Sequence, residues 1–302
     1  MFSKIHQAAQ QIGEVLVGKH LQIRQTLACV LAGGHLLIED VPGVGKTTLA
    51  HALAISLGLQ WKRQQFTSDL LPADVAGMSV YDRASTSFIF HPGPLFTQVL
   101  LADEINRATP KTQSGLLEAM EERQVTLDGV THALPQPFFV IATQNCAHQL
   151  GTFPLPESQL DRFLMCVTLG YPDAAAERAL LLGADRRAML HTLPAVMNAE
   201  ELLQAQAGLR AIHASPAVVD YVLALVHATR APGMFADGLS PRAALALLQA
   251  ARAWAALAGR DHVTPDDVQA VLLPVCAHRL HAAQGSVDSR ALLQHLLLSI
   301  PV

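Results

Sequence analysis

Up to about residue 170, short apolar runs alternate with stretches of helical spacing. Leu36-Leu37-Ile38, Val99-Leu100-Leu101-Ala102 and Phe138-Phe139-Val140-Ile141-Ala142, the last ending in Thr143, are apolar runs, the pattern of buried strands. Each is followed at once by polar residues: Glu39-Asp40, Asp103-Glu104 and Gln144-Asn145. Helical spacing is predicted from Lys4 to Leu16, ending in the turn Val17-Gly18. It returns through Leu49, Ala50, Leu53, Ala54 and Leu57, stopping at Gly58. Thr109-Pro110 opens a further helix with Thr as N-cap and Pro in the first position; its apolar side is Leu116, Leu117 and Met120. Two short strands, Gly77–Tyr81 and Ser87–Phe90, interrupt the alternation. Asp128-Gly129, between Val125, Leu127 and Val130, signals a hairpin.

Past Gly170-Tyr171-Pro172-Asp173 the pattern is helical throughout. Ala174–Leu182, Ala199–Ile212 and Pro216–Thr229 carry apolar residues at helical spacing. Ser240-Pro241 caps a long alanine-rich helix that stops near Gly259, and Thr264-Pro265-Asp266-Asp267 starts another with acids in its first turn. A last helix covers roughly Ser289 to Leu298. The expected fold is therefore an α/β unit over residues 1–170, a mostly parallel sheet flanked by helices, followed by an all-α unit over 171–302. No repeat is evident.

The chemistry gathers where strands end. Glu39-Asp40-Val41-Pro42-Gly43-Val44-Gly45-Lys46-Thr47-Thr48 joins a buried strand to a helix, the frame of a phosphate-binding loop. Gly43 and Gly45 let backbone N–H groups turn toward phosphate oxygens, and the helix start adds its positive dipole end. Lys46 is placed for the β- and γ-phosphates of a nucleotide and Thr47 for Mg²⁺. The strict pattern has glycine where this chain has Asp40. Read alone, the stretch could be a glycine-rich turn before a core helix. Asp103 stands where a carboxylate supports Mg²⁺, and Glu104 where one polarises a water. The pair could instead cap the next helix at Asn106 or Thr109. Asn145 could orient a water or contact a γ-phosphate, or simply form a turn.

Composition narrows the class. The chain has 302 residues, 51% of them hydrophobic, enough for one large or two ordinary domains. Net charge is −4, with 11 basic and 14 acidic residues up to 170 and 10 and 11 beyond, so no broad nucleic-acid surface is expected. The polar opening Met1–Gln7 does not read as a secretory signal, and no apolar run is long enough to span a membrane. Cys29, Cys146, Cys166 and Cys276 are scattered without CxxC spacing, as expected of reduced core thiols in a cytoplasmic protein. The 14 histidines show no HExxH pattern.

Several segments together resemble the MoxR family of AAA+ ATPases. They are Leu37–Thr47, Phe66–Asp74, Gly93–Phe96, Ala102–Ala108, Ala142–Asn145 and Leu155–Phe163, and the likeness runs from about Val17 to near residue 280. Asp40 in place of glycine is usual in this family. Cys146 and Ser68 stand where it commonly has proline, and neither removes a chemical group from the site. The resemblance implies an AAA+ P-loop core and a helical lid. It also implies an insert in the second helix around residues 76–97, and a nucleotide set of Gly43, Val44, Gly45, Lys46, Thr47 and Thr48. Val17 and Gly18 would line the adenine pocket. Asn145 corresponds to sensor 1, Arg162 to the arginine finger that reaches a neighbour's ATP, and Arg242 to sensor 2. Arg162 could alternatively pair with Asp161 or Glu157, and Arg242 could be a solvated first-turn arginine. The family also implies a homo-oligomer, usually a hexameric ring. Its work is chaperone-like remodelling or maturation of partners carrying a von Willebrand factor A domain, often with metal cofactor insertion. A magnesium-chelatase-like motor subunit and an ATP-gated scaffold with little turnover are the competing readings.

Overall fold

The computed structural model describes residues 2–145, 151–183, 186–283 and 287–301; Cys146 lies outside them. The chain opens with helices α1 (Phe2–Val15) and α2 (His20–Leu31), strand β1 (His35–Glu39), helix α3 (Lys46–Ser56) and strand β2 (Trp61–Gln65). The short helix α4 (Pro72–Ala76) leads into a hairpin of β3 (Gly77–Asp82) and β4 (Ser87–Pro92). Then come β5 (Val99–Asp103), α5 (Pro110–Glu122), a second hairpin of β6 (Gln124–Leu127) and β7 (Val130–Ala133), β8 (Phe139–Gln144), the single turn α6 (Glu157–Leu160) and β9 (Phe163–Val167). All later described elements are helical: α7 (Ala174–Leu182), α8 (Arg186–Thr192), α9 (Ala199–Gly208), α10 (Pro216–Thr229), α11 (Pro241–Leu257), α12 (Pro265–Cys276) and α13 (Ser289–Ser299), with short 3₁₀ turns between some of them.

The main sheet has the order β2-β5-β8-β1-β9, and every pairing in it is parallel. Parallel strands run their carboxyl ends to one edge, so Asp40, Asp103-Glu104 and Asn145 meet there. The alternation of side chains divides each central strand between two cores. Leu36 and Ile38, Val99 and Leu101, and Phe139 and Ile141 face one core. Leu37, Leu100 and Ala102, and Val140 and Ala142 face the other, beneath α5. The first core continues without a break through α1, α2 and α3 into the later helices, reaching Leu225, Leu247, Trp254 and Leu272.

Some elements had no counterpart among the sequence expectations, α2, β2 and β9 among them. The second half of α2 is buried on nearly every side, with Thr26 through Leu31 enclosed, so it lacks the polar stripe that marks an amphipathic helix. Strand β2, Trp61-Lys62-Arg63-Gln64-Gln65, is a polar edge strand held by pairing to β5 alone. Strand β9 closes the opposite edge, and Arg279 covers it. Its guanidinium donates to the carbonyls of Asp161 at 3.2 Å, Phe163 at 2.7 Å and Leu164 at 3.3 Å, which blunts an edge that could otherwise pair with another chain.

Cys29, Cys166 and Cys276 are buried thiols. Burial pushes the Cys276 thiol up to about 12 and also raises that of Cys29, so both stay protonated and unreactive. Among the described residues no helix is long and apolar enough to cross a membrane.

Candidate nucleotide site

The loop after β1 is built around Asp40. Its carboxylate is buried and accepts from the backbone N–H of Val41 at 2.8 Å and of Gly170 at 2.7 Å. The residue that departs from the strict glycine pattern thus braces the loop against the segment where the sheet gives way to helices. Gly43 and Gly45 both have positive φ, 86° and 98°. At Gly45 a Cβ would also meet Leu16 Cδ1 at 2.8 Å, so glycine is required there twice over. No side chain caps the first turn of α3, leaving its N–H groups directed at the cavity. Lys46 Nζ donates to the carbonyls of Asp40 at 2.9 Å and Val41 at 3.2 Å.

Lys46, Thr47, Asp103, Glu104 and Asn145 line one cavity of about 370 Å³. Asp103 ends β5 and is buried, and Thr143 on the adjacent strand donates its hydroxyl to Asp103 Oδ1 at 2.6 Å. The same Thr143 oxygen accepts from the Glu104 backbone N–H at 2.9 Å. Glu104 sits in the left-handed region, φ 56° and ψ 49°, a conformation that costs a non-glycine residue about 1–3 kcal/mol and is typical of functional positions. Its carboxylate pairs with Arg107 at 2.7 Å. It caps no helix: Thr109 caps α5 with its own hydroxyl.

Two residues that sequence reasoning passed over complete the cavity. Arg63 on β2 donates to Asp103 Oδ2 from Nη2 at 2.6 Å and from Nε at 3.2 Å, and Gln65 accepts from the same Nη2 at 3.2 Å. Nothing in the polar run of β2 distinguishes these side chains from a solvated edge; only the pairing of β2 with β5 brings them to Asp103.

Val17 and Gly18 are outside this cavity, although Leu16 beside them touches Gly45. Gly18 has φ 74°, and a Cβ there would meet Ala176 Cβ at 2.8 Å, so the turn is wedged between the loop and α7.

Arg162 and Arg242 line a different cavity, of about 210 Å³, together with Glu121, Arg123, Asp161 and Arg279. Glu121 on α5 holds both arginines, one on each carboxylate oxygen: Arg162 Nη2 at 3.1 Å from Oε2 and Arg242 Nη2 at 3.1 Å from Oε1. Asp161 is held by Arg279 at 2.7 Å, with Arg242 at 3.8 Å. Arg162 therefore does not make the local pair with Asp161 or Glu157 that its sequence neighbours offered. Arg242, half exposed, does not stand alone in solvent. Glu121 and Arg279 carried no signal in the sequence, because their partners lie roughly 40 to 120 residues away.

The donors present suit ATP with Mg²⁺. The glycine loop and uncapped helix start suit an anion, and the Thr47 hydroxyl and Asp103 carboxylate are hard oxygen donors. Among the described residues there is no group of three or more His, Cys, Asp or Glu that would cage a metal. Mg²⁺ keeps several waters and shares substrate phosphates, so two protein oxygen donors suit it.

Residues 35–165 match the family described as "ATPase family associated with various cellular activities (AAA)", and residues 227–296 match the "AAA lid domain". The chain is 43% identical over 299 residues to "Uncharacterized protein YeaC" of Bacillus subtilis (strain 168), covering 98% of this chain and 93% of that one. It is 40% identical over 288 residues to "Chaperone MoxR1" of Mycobacterium tuberculosis, covering 91% and 75%. It is 33% identical over 331 residues to "Protein MoxR" of Paracoccus denitrificans, covering 99% and 96%. A crystal structure of a protein from Cytophaga hutchinsonii superposes with TM-score 0.90 at 33% identity, covering 99% of this chain and 95% of that one.

Proposed function

The chain belongs to the MoxR family of AAA+ ATPases, and on that premise we propose that it hydrolyses Mg-ATP at sites completed by a neighbouring copy of itself. The observation that carries this reading is the separation of two half-sites. Lys46, Thr47, Asp103, Glu104 and Asn145 share one cavity, whereas Arg162 and Arg242 meet at Glu121 in another.

In this reading Gly43, Val44, Gly45 and Thr48 supply loop and helix-start N–H groups to the phosphates. Lys46 leaves the carbonyls of Asp40 and Val41 for the β- and γ-phosphate oxygens. Val17 and Gly18, behind Gly45, serve the adenine side. Thr47 and Asp103 hold the magnesium shell; Mg²⁺, when bound, neutralises charge on the transferring phosphoryl group. Glu104, released from Arg107, takes the proton of the attacking water, and Asn145 orients that water. The guanidiniums of Arg162 and Arg242, supplied from the next subunit, neutralise the charge spread over the equatorial oxygens.

A head-to-tail contact lets every subunit give arginines to one neighbour and receive them from another, and it forms a ring where the rotation closes; we take the number to be six, as in the family. Residues 1–170 then act as the nucleotide core and 171–302 as the lid, in the cytoplasm. The work done is chaperone-like remodelling or maturation of a protein partner. A partner carrying a von Willebrand factor A domain, with or without metal insertion, is the class the family favours. A magnesium-chelatase-like motor would share this architecture. A scaffold that binds ATP with little turnover is disfavoured by the full set Lys46, Asp103, Glu104 and Arg162.

The decisive experiment mixes two inactive proteins. Lys46→Ala cannot hold ATP well but keeps Arg162. Arg162→Ala keeps its own cavity but should turn over roughly two or more orders of magnitude slower. Mixed rings contain some sites with an intact cavity from one subunit and an intact arginine from the next. ATPase activity regained on mixing supports the shared site. Co-assembled mixtures that stay inactive would assign Arg162 to its own subunit or to the fold.

A further inference from the structure

Arg63 has no part in the roles assigned above, yet it is the closest cation to Asp103 in the cavity, at 2.6 Å. Asp103 Oδ1 is turned to the buried hydroxyl of Thr143, so Oδ2 is the oxygen left toward the cavity. Both hydrogen bonds from Arg63 end on that oxygen. The position follows from the sheet: Gln65 is in register with Asp103 and Arg63 with Leu101, one side-chain repeat back on the same face.

Resting on the ATPase reading, we propose that Arg63 is a counter-ion switch for Asp103. It occupies Oδ2 when no divalent cation is in the cavity and must leave it before that oxygen can serve the magnesium shell. It thereby sets the Mg²⁺ concentration at which the site takes up Mg-nucleotide.

Electrostatics decides the sign. A guanidinium and a divalent cation on one carboxylate oxygen repel each other, so each lowers the occupancy of the other. The Asp103 side chain is 12% exposed, which keeps the pair stronger than a surface ion pair. Arg63 is 48% exposed on an edge strand, so it can swing outward without breaking a packed core. The pairing also has a use before nucleotide arrives. With Asp103 satisfied by Arg63, Lys46 rests on the carbonyls of Asp40 and Val41, not on the carboxylate, and so stays available to phosphate. Arg63 is thus a positioning residue that acts through Asp103.

The test uses the full chain carrying Glu104→Gln, which suppresses hydrolysis, and a fluorescent ATP analogue at fixed concentration. Mg²⁺ is titrated and bound nucleotide is read. Arg63→Gln is expected to lower the half-saturating Mg²⁺ about tenfold, equivalent to about 1.4 kcal/mol, as for loss of charge-assisted hydrogen bonds from a half-exposed arginine. Arg63→Lys, which keeps the charge but loses the fork, should fall between. Mn²⁺ in place of Mg²⁺, followed by electron paramagnetic resonance, reads the metal itself and should show the same order. Melting temperature reports the fold, and Arg63→Met, which keeps the stem, replaces Arg63→Gln should the latter fail to fold. An unchanged or raised Mg²⁺ requirement in a folded neutral variant overturns the proposal. A parent protein that binds no nucleotide in Mg²⁺ overturns the ATPase reading beneath it, so the two failures are distinct.

Discussion

Glu104 and Lys46 line the same cavity but face opposite demands. Lys46 is a cation whose present partners are two neutral carbonyls, so replacing it removes charge that phosphate would meet and little else. Glu104 is held by Thr143 through its backbone, while its side chain pairs with Arg107 at the surface. Glu104→Gln therefore leaves the backbone anchor in place and changes only the base. Lys46→Ala is expected to weaken ATP binding by at least about tenfold, in line with loss of a charged hydrogen-bond donor. Glu104→Gln is expected to keep binding within about threefold while turnover falls by roughly two or more orders of magnitude, as for loss of a general base. A fluorescent-nucleotide titration beside a phosphate-release assay separates the two. Equal loss of affinity in both would make Glu104 structural. At this scale the sequence was legible wherever a residue sat in a strand–loop–helix frame, as Lys46, Thr47, Asp103 and Glu104 do. Arg63, Thr143 and Glu121 were not legible. Their partners are distant in the chain, and each looks locally like an ordinary polar residue on a strand or helix face.

Among the elements, the central strands were legible because parallel strands buried on both faces read as unbroken apolar runs. The edge strands β2 and β9 were not, since pairing on one side relaxes the demand for apolar residues in β2, and the Phe-Leu-Met-Cys-Val run of β9 is followed by Thr168-Leu169, without the polar pair that marks the carboxyl ends of the central strands. One element contact carries a pH dependence. His35 begins β1 and is buried. Its Nδ1 accepts from the Val140 N–H at 3.0 Å, and its Nε2 donates to the Met120 carbonyl at 3.1 Å, so the neutral ring ties β1 to β8 and α5. Burial, with a smaller effect from Arg123, pushes its pKa down to about 4. Because the folded value lies below the unfolded value of about 6.5, the unfolded chain binds more protons in between. The stability that His35 contributes is therefore complete above about pH 6.5 and is lost as pH falls toward 4, a loss on the order of 3 kcal/mol. Urea midpoints at pH 7, 5.5 and 4.5 should fall in that order, with a shallower decline in His35→Gln. An identical decline in that variant would place the proton uptake elsewhere, His278 being the next candidate, since burial likewise lowers its pKa, to about 3.

For the whole molecule the governing fact is that cations stand at both half-sites. The nucleotide cavity carries Lys46 and Arg63, and the second cavity carries Arg123, Arg162, Arg242 and Arg279 against Glu121 and Asp161. Bringing the second surface of one subunit onto the first cavity of another sets positive charge against positive charge unless something anionic lies between them. ATP is that anion in the proposed ring, which makes assembly a nucleotide-linked equilibrium. A ligand that binds only the assembled state favours it by about 2.7 kcal/mol per site at a hundredfold excess over its dissociation constant. Several such sites in a ring move the balance far toward assembly. Glu104→Gln with Mg-ATP is thus expected to give particles several times the 32.3 kDa mass of one chain, while the same protein without nucleotide stays smaller. Arg162→Ala should need more ATP to reach the same size, because one of the two cations facing the phosphates is gone. Light scattering over a range of protein, nucleotide and salt concentrations measures all three. A single-chain mass under every condition would rule out the ring, and assembly equally strong without nucleotide would show that the interface does not depend on phosphate to bridge its charges.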